Sequence, residues 1–266
     1  MLHTLQDQAE LDLINDGIEV KDGVTYSTWG FIKDPYRLGD NRQKVIATQA
    51  RLFSNLAKEG VLDQYNDQIR AGIQSNLWSE LSPEELDAYE GPVNYLTHHA
   101  IIKDSTSTPL RVVHNSSLRN GTDSLNSILP RGPSQLSDML EVTLRFRVYE
   151  CCFGADLKKA YNTIQTGIVE RNLRRFVWKF SEEEDWKTFG INKVHFGEIN
   201  AANELECAKR KIAKDGIHID EEAAQKLLRD SYVDDIFSGG KESTVNRMVG
   251  ENNLTARGHL GQCQRF

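Results

Sequence analysis

The segment from Ser231 to Gly240 constrains the fold more than any other. It reads Tyr232-Val233-Asp234-Asp235-Ile236-Phe237 and closes on Gly239-Gly240. Two adjacent carboxylates between β-branched and aromatic residues predict a hairpin, because strand formers flank a polar turn. Neighbouring aspartates repel unless their side chains point apart or share a cation. A hairpin turn that carries such a pair is a platform for a divalent metal, since Mg²⁺ takes carboxylate oxygens. The competing reading is an exposed turn with two solvated aspartates.

A second signal lies upstream in Phe153-Gly154-Ala155-Asp156-Leu157-Lys158-Lys159-Ala160-Tyr161. An apolar run from Tyr149 to Ala155 predicts a buried strand, with Asp156 at its end and an aromatic ring five residues on. Alone, Asp156 reads more commonly as a helix N-cap after a core strand. Together, a strand-end carboxylate and a hairpin Asp-Asp supply what two-metal phosphoryl transfer requires. Two Mg²⁺ ions about 4 Å apart activate the attacking oxygen and stabilise the leaving one.

Charge distribution fits a site of that kind. The formal net charge of −7 argues against a basic protein that coats nucleic acid. The charge is uneven, however. Residues 1–100 carry 8 basic and 16 acidic side chains, 101–180 carry 12 and 7, and 181–266 carry 12 and 16. The middle third is a basic island of net +5 in an acidic chain. No apolar stretch approaches a membrane span, and Met1–Leu13 lacks the basic and apolar regions of a secretory signal. The four cysteines and seven histidines form no zinc spacing. Adjacent Cys151 and Cys152 read as buried strand residues of a reduced, intracellular protein, cytoplasmic or nuclear.

Around these signals the chain predicts a mixture of elements. Residues 1–38 have weak periodicity and a turn at Lys21-Asp22-Gly23. Val45, Ile46, Leu52, Phe53 and Leu56 mark one helical face, interrupted by Gln49. Leu62, Tyr65, Ile69, Ile73 and Leu77 mark a second helix, and Ser82-Pro83-Glu84-Glu85 is a capping box. Val93–Lys103 and Leu110–Val113 predict a hairpin around a Ser/Thr/Pro turn. Ser134 is a cap for a helix with Leu136, Met139, Leu140 and Leu144 on one side. Arg175–Phe180 and Lys187–Phe196 predict a strand pair, and 200–214 and 220–229 predict helices. Strands and helices without strict βαβ alternation favour the α+β class.

The order of these blocks resembles a family. From about residue 20 to 250, the chain looks like the reverse transcriptase of retroelements, of the Pao/BEL class of long-terminal-repeat retrotransposons. The resemblance rests on Tyr95-Leu96-Thr97-His98-His99-Ala100 and Leu110-Arg111-Val112-Val113-His114-Asn115-Ser116-Ser117. It continues through Ser124-Leu125-Asn126, Gly132-Pro133, Leu144-Arg145-Phe146-Arg147 and Ala155-Asp156. It ends with Arg175-Phe176-Val177-Trp178, Phe196-Gly197 and Tyr232-Val233-Asp234-Asp235.

The resemblance implies a right-hand polymerase, an antiparallel palm with packed helices plus fingers. Residues 1–40 would be a weakly ordered extension, 41–148 mainly fingers, 149–250 palm and 251–266 a divergent tail. Asp156, Asp234 and Asp235 would be catalytic and hold Mg²⁺ or Mn²⁺, with the Leu157 carbonyl nearby. Tyr161 would be the ring under the incoming sugar, disfavouring a 2′-hydroxyl. Lys103, Arg111 and Gly197 would serve the deoxynucleoside triphosphate, through phosphate charge and close backbone approach. Arg171, Arg174, Arg175 and Tyr232 would meet an RNA or DNA template–primer. Each residue has a plainer reading. Arg111 reads as an edge-strand surface residue, Tyr161 as core packing, His98 and His99 as strand residues, and the three arginines as a solvated helix face.

The sequence also departs from the family pattern. His114-Asn115 stands where many relatives carry Phe-Asp, and the segment after Gly197 lacks their Ser-Pro. Only 26 residues follow Gly240. They bear no resemblance to a thumb, so the expectation is a fragment without thumb, ribonuclease H or integrase, of weak or no autonomous activity. The alternatives are an inactive retroelement-derived nucleic-acid-binding remnant, a metal phosphohydrolase on the same carboxylates, and a poorly folding relic.

Overall fold

A computed structural model describes residues 4–102, 110–249 and 263–264. The elements run α1 (Leu5–Gly17), β1 (Ile18–Lys21), β2 (Val24–Ser27), α2 (Arg42–Lys58), α3 (Leu62–Gln74), β3 (Trp78–Glu80) and α4 (Pro83–Ala88). Next come β4 (Thr97–Ile102), β5 (Leu110–Asn115), α5 (Leu125–Ile128), α6 (Met139–Val148), β6 (Cys151–Asp156), β7 (Ile164–Thr166) and α7 (Ile168–Leu173). The order closes with β8 (Arg175–Trp178), β9 (Lys187–Ile191), α8 (Ala201–Gly216), α9 (Glu221–Arg229), β10 (Ser231–Tyr232), β11 (Asp235–Gly240), α10 (Glu242–Val249) and β12 (Cys263–Gln264). Helices mix with small sheets in the orders β1-β2-β7, β10-β11-β6-β12, β3-β9-β8 and β4-β5. The registered pairings are antiparallel, as the α+β expectation has it.

The chain packs as two compact units woven from alternating segments. Unit 1 comprises residues 1–28, 130–165 and 200–266, and unit 2 comprises 29–129 and 166–199. These units do not follow the linear boundary expected near residue 148, because β8 and β9 belong with α2, α3 and the β4–β5 hairpin in unit 2.

Unit 2 is organised by aromatic rings. Phe53, Tyr65, Trp78, Phe176, Trp178 and Phe189 share a core with Leu96, Leu125, Ile128 and Ile191. Burying a large aromatic side chain removes about 150–250 Å² from water, roughly 4–6 kcal/mol of transfer free energy. The stripe of α2 reaches this core through Phe53 and Leu56. Gln49 is buried with it, and its amide finds no protein partner. The Ser82–Glu85 box caps α4 reciprocally.

In unit 1 the expected turn at Lys21-Asp22-Gly23 closes the β1–β2 hairpin, with Asp22 and Gly23 at φ 50° and 74°. The helix before it was not foreseen. A Thr4–Asp7 capping box starts α1, yet only Ile14 of that helix is buried, so it carries no apolar stripe to read. The cap of α6 is also corrected. Asp138, not Ser134, accepts from the Leu140 amide, and Met139, Leu140 and Leu144 are exposed. The cysteine reading is corrected too: Cys151 is half-buried and Cys152 exposed, because β6 lies with one face open. No described helix is long and apolar enough to cross a membrane.

Two histidines in the unit 2 core make stability sensitive to pH. His98 Nε2 lies 3.1 Å from the Val177 carbonyl and donates to it, so Nδ1 accepts from the Tyr65 hydroxyl at 2.6 Å. Burial lowers the pKa of His98 from 6.5 to about 4. Burial, with the neighbouring His195 and His98, pushes His114 well below the same value. Unfolded histidine titrates near 6.5. From that pH down to about 4, the unfolded chain binds a proton that folded His98 refuses, so stability is full above the window and falls on acidification. The effect reaches about 1.4 kcal/mol per pH unit for each such group. All four tryptophans lie in unit 2, at positions 29, 78, 178 and 186. Urea unfolding followed by tryptophan fluorescence should therefore show a lower midpoint at about pH 5 than at about pH 7, with a shallower pH slope for His98→Asn.

Candidate active site

The aspartates of the two sequence signals meet in unit 1. Strands β6 and β11 pair antiparallel from Asp156↔Asp235 to Cys151↔Gly240. Directly opposed residues in such a pair point to the same face, so Asp156 and Asp235 share one. Asp234 sits in the tight turn between β10 and β11, where Tyr232 opposes Asp235. The Asp234 carbonyl accepts from the Leu157 amide at 2.7 Å, which docks the turn on the end of β6. The Leu157 carbonyl accepts from the Ala160 amide at 2.9 Å, and its side chain is buried.

Asp156 and Asp235 are exposed and Asp234 is half-buried. Partial burial raises the Asp235 pKa, and the charges of Asp234 and Asp156 raise it further. Three hard oxygen donors at one sheet end suit Mg²⁺ or Mn²⁺ chemically. Among the described residues, no three His, Cys, Asp or Glu side chains converge on a metal-holding arrangement.

The turn is strained. Val233 has φ 54°, the left-handed region that a β-branched residue adopts only under constraint. Such a conformation costs on the order of 1–3 kcal/mol. Holding it are the flanking strand pair, the Leu157–Asp234 bond and the Lys209 ammonium of α8, which donates to the Val233 carbonyl at 2.9 Å. Lys209 also donates to Ser231 Oγ at 3.0 Å and lies 2.6 Å from Glu206 Oε1. Burial lowers the Lys209 pKa and raises that of Glu206, with the ion pair opposing both shifts.

Tyr161 lies on the 3-10 helix Ala160–Thr163 and is only 7 % exposed. Burial pushes its pKa up to about 12, with help from the charges of Asp234 and Glu206. The plainer core reading therefore describes its packing, while its hydroxyl stays within the field of Asp234.

Behind the hairpin, Asp230 is fully buried and anchors both sides. Its carboxylate accepts from the Tyr149 hydroxyl at 2.7 Å and from the Ser238 hydroxyl at 2.6 Å. Arg229 and Arg145 pair with it at 3.3 and 3.5 Å. Gly239 is required by close approach, since a Cβ there would lie 2.2 Å from the Cys151 carbonyl oxygen. Neither Lys209 nor Asp230 was found by sequence reasoning. Glu206-x-x-Lys209 reads as a solvated helical pair, and Asp230 as a helix-end residue.

The remaining described residues singled out by sequence lie in unit 2. Lys103 lies outside the described residues. Arg111 is exposed on β5 opposite Ile101. Gly197 has φ 107°, its carbonyl accepts from Asn126 Nδ2 at 3.0 Å, and a Cβ would press to 3.2 Å of the His114 carbonyl oxygen. Arg171 is partly exposed and pairs with Glu85 at 3.4 Å.

The reading of Arg174 and Arg175 is corrected. Arg174 is 0 % exposed and bonds Glu198, the carbonyls of Glu170 and Lys193, and Thr166. Arg175 is buried on Asn172 and Tyr95. These guanidiniums form neither a solvated face nor a phosphate contact, because unit 2 consumes their donors internally. Likewise His98 is a core residue and His99 is exposed on β4.

No protein-family model and no curated protein matches the chain.

Two substitutions separate support from site. Asp230→Ala leaves the buried Ser238 hydroxyl and the half-buried Tyr149 hydroxyl without their carboxylate acceptor and removes one partner each from Arg145 and Arg229, and should destabilise unit 1 by about 1–3 kcal/mol in urea unfolding followed by circular dichroism. Asp235→Asn relieves like-charge repulsion, and should stabilise unit 1 by about 0.2–1 kcal/mol at low ionic strength, with the gain shrinking in salt.

Proposed function

We propose that unit 1 carries the palm of a reverse-transcriptase-like nucleotidyltransferase. The observation that supports this most is the register of β6 on β11. It sets Asp156 opposite Asp235 and ties Asp234 to the chain just after Asp156. The reaction is templated nucleotidyl transfer. A primer 3′-oxygen forms a bond to the α-phosphorus of a deoxynucleoside triphosphate, and the bond to pyrophosphate breaks.

Asp156, Asp234 and Asp235 would hold Mg²⁺ or Mn²⁺, with the Leu157 carbonyl beside them. When bound, the metal neutralises charge on the reacting phosphate and the leaving group. Tyr161 would limit the space under the sugar. Tyr232, opposite Asp235, would lie along the primer end. The nucleotide roles of Lys103, Arg111 and Gly197, and the template role of Arg171, rest on the Pao/BEL resemblance.

Primer extension by purified protein with Mg²⁺ or Mn²⁺ tests this reading. Weak, non-processive extension is expected, and Asp234→Asn should abolish it. No extension by either metal form, together with salt-sensitive nucleic-acid binding, would replace the reading with a non-catalytic binding remnant. Cleavage of nucleic acid without nucleotide dependence would replace it with a phosphohydrolase.

A further inference from the structure

A buried cation of unit 1 belongs to none of the catalytic or nucleotide roles above. Lys209 is 1 % exposed in the middle of α8. A lysine ammonium has three protons and no acceptor, and this one has three oxygen neighbours. They are Ser231 Oγ at 3.0 Å, the Val233 carbonyl at 2.9 Å and Glu206 Oε1 at 2.6 Å. Ser231 in turn donates to the Leu227 carbonyl at 2.7 Å, which fixes the Ser231 oxygen from α9. Two of the three neighbours are therefore in the hairpin that bears the aspartates.

The Val233 carbonyl belongs to the peptide that leads into Asp234. With φ 54° at Val233, that peptide faces a direction the residue would not choose alone. Relaxation of Val233 toward ordinary backbone angles would rotate the 233–234 peptide and carry Asp234 away from the Asp156–Asp235 pair. The clamp on the far side, Leu157 N–H to the Asp234 carbonyl at 2.7 Å, holds the next peptide along. Val233 is thus pinned from α8 and Asp234 from the end of β6. The ammonium also places a positive charge within the field of Asp234.

We propose that Lys209 is a positioning residue for the aspartate turn: by holding the Val233 carbonyl, it keeps the strained 233–234 peptide in the orientation that presents Asp234 to Asp156 and Asp235. The consequence for catalysis rests on the palm reading of unit 1, whereas the structural role does not. Glycine adopts positive φ without the steric penalty of valine. A turn with glycine at 233 should therefore need the clamp less, which a merely space-filling lysine would not predict.

The test compares full-length wild type, Lys209→Met, Val233→Gly and the double variant. Lys209→Met should shift the amide resonances and backbone couplings of residues 233–235 and weaken Mn²⁺ binding about tenfold. It should lower the kcat of primer extension about tenfold, with the nucleotide KM within about twofold. The double variant should recover to within about threefold of Val233→Gly alone. Unmoved 233–235 resonances in Lys209→Met, or no recovery in the double variant, would overturn the role of Lys209 whatever the activity. Wild type that neither binds Mn²⁺ nor extends a primer would overturn the palm reading, and the resonances would still decide on Lys209. Should Lys209→Met not fold, Lys209→Gln, which keeps a shorter donor, should produce the same shifts.

Discussion

The β6–β11 ladder is the constraint on which the candidate site depends. Side chains alternate across a strand with period two, so a slip of one residue would send Asp235 to the opposite face from Asp156. Register is therefore the condition for the shared face of Asp156 and Asp235. Several features fix it. Gly239 admits the Cys151 backbone where any side chain would collide. Asp230 ties Ser238 of β11 to Tyr149, two residues before β6. The Leu157 amide locks the turn to the end of β6. These interactions act on both ends of the ladder, and none involves the three aspartates' own side chains.

Three buried polar side chains show how partners offset the cost of desolvation. Arg174 is satisfied by carbonyls and by Glu198, Lys209 by a hydroxyl, a carbonyl and Glu206, and His98 by Tyr65 and Val177. The difference lies in what they hold. Arg174 and His98 hold the interior of unit 2 and point to no site. Lys209 holds a strained turn at the end of a sheet where acidic side chains gather. Burial of a charge is thus a structural expense in one unit and a lever on backbone geometry in the other.

Strain and repulsion coincide at the same turn. Val233 is in a left-handed conformation, and Asp235 is shifted upward partly by two neighbouring carboxylates. A fold selected for stability alone would relieve both, with glycine at one position and asparagine at the other. Both are held in place by the Lys209 bond from α8 and the Leu157 bond from the end of β6.

Much of this was legible in the chain itself. Strand formers on both sides of Asp234-Asp235, an apolar run ending in Asp156, and the Ser82 capping box each predict their local element, because strand, turn and cap preferences act within a few residues. The chain also carries the block order that resembles reverse transcriptases. Tertiary structure decided what depends on distant partners. It set Asp156 opposite Asp235, since register is fixed by packing and glycine clearance. It buried Arg174 and Arg175, whose local acceptors at Glu170 and Asn172 are joined by Lys193, Glu198 and Tyr95 from other segments. It exposed Cys152 and the apolar side of α6, because burial belongs to the neighbours and not to the residue. It also built α1 from a sequence without an apolar stripe, through a capping box and one buried isoleucine. Chemistry-bearing residues can be read from sequence when their spacing is local; their partners cannot, because the physics that selects them is contact across the fold.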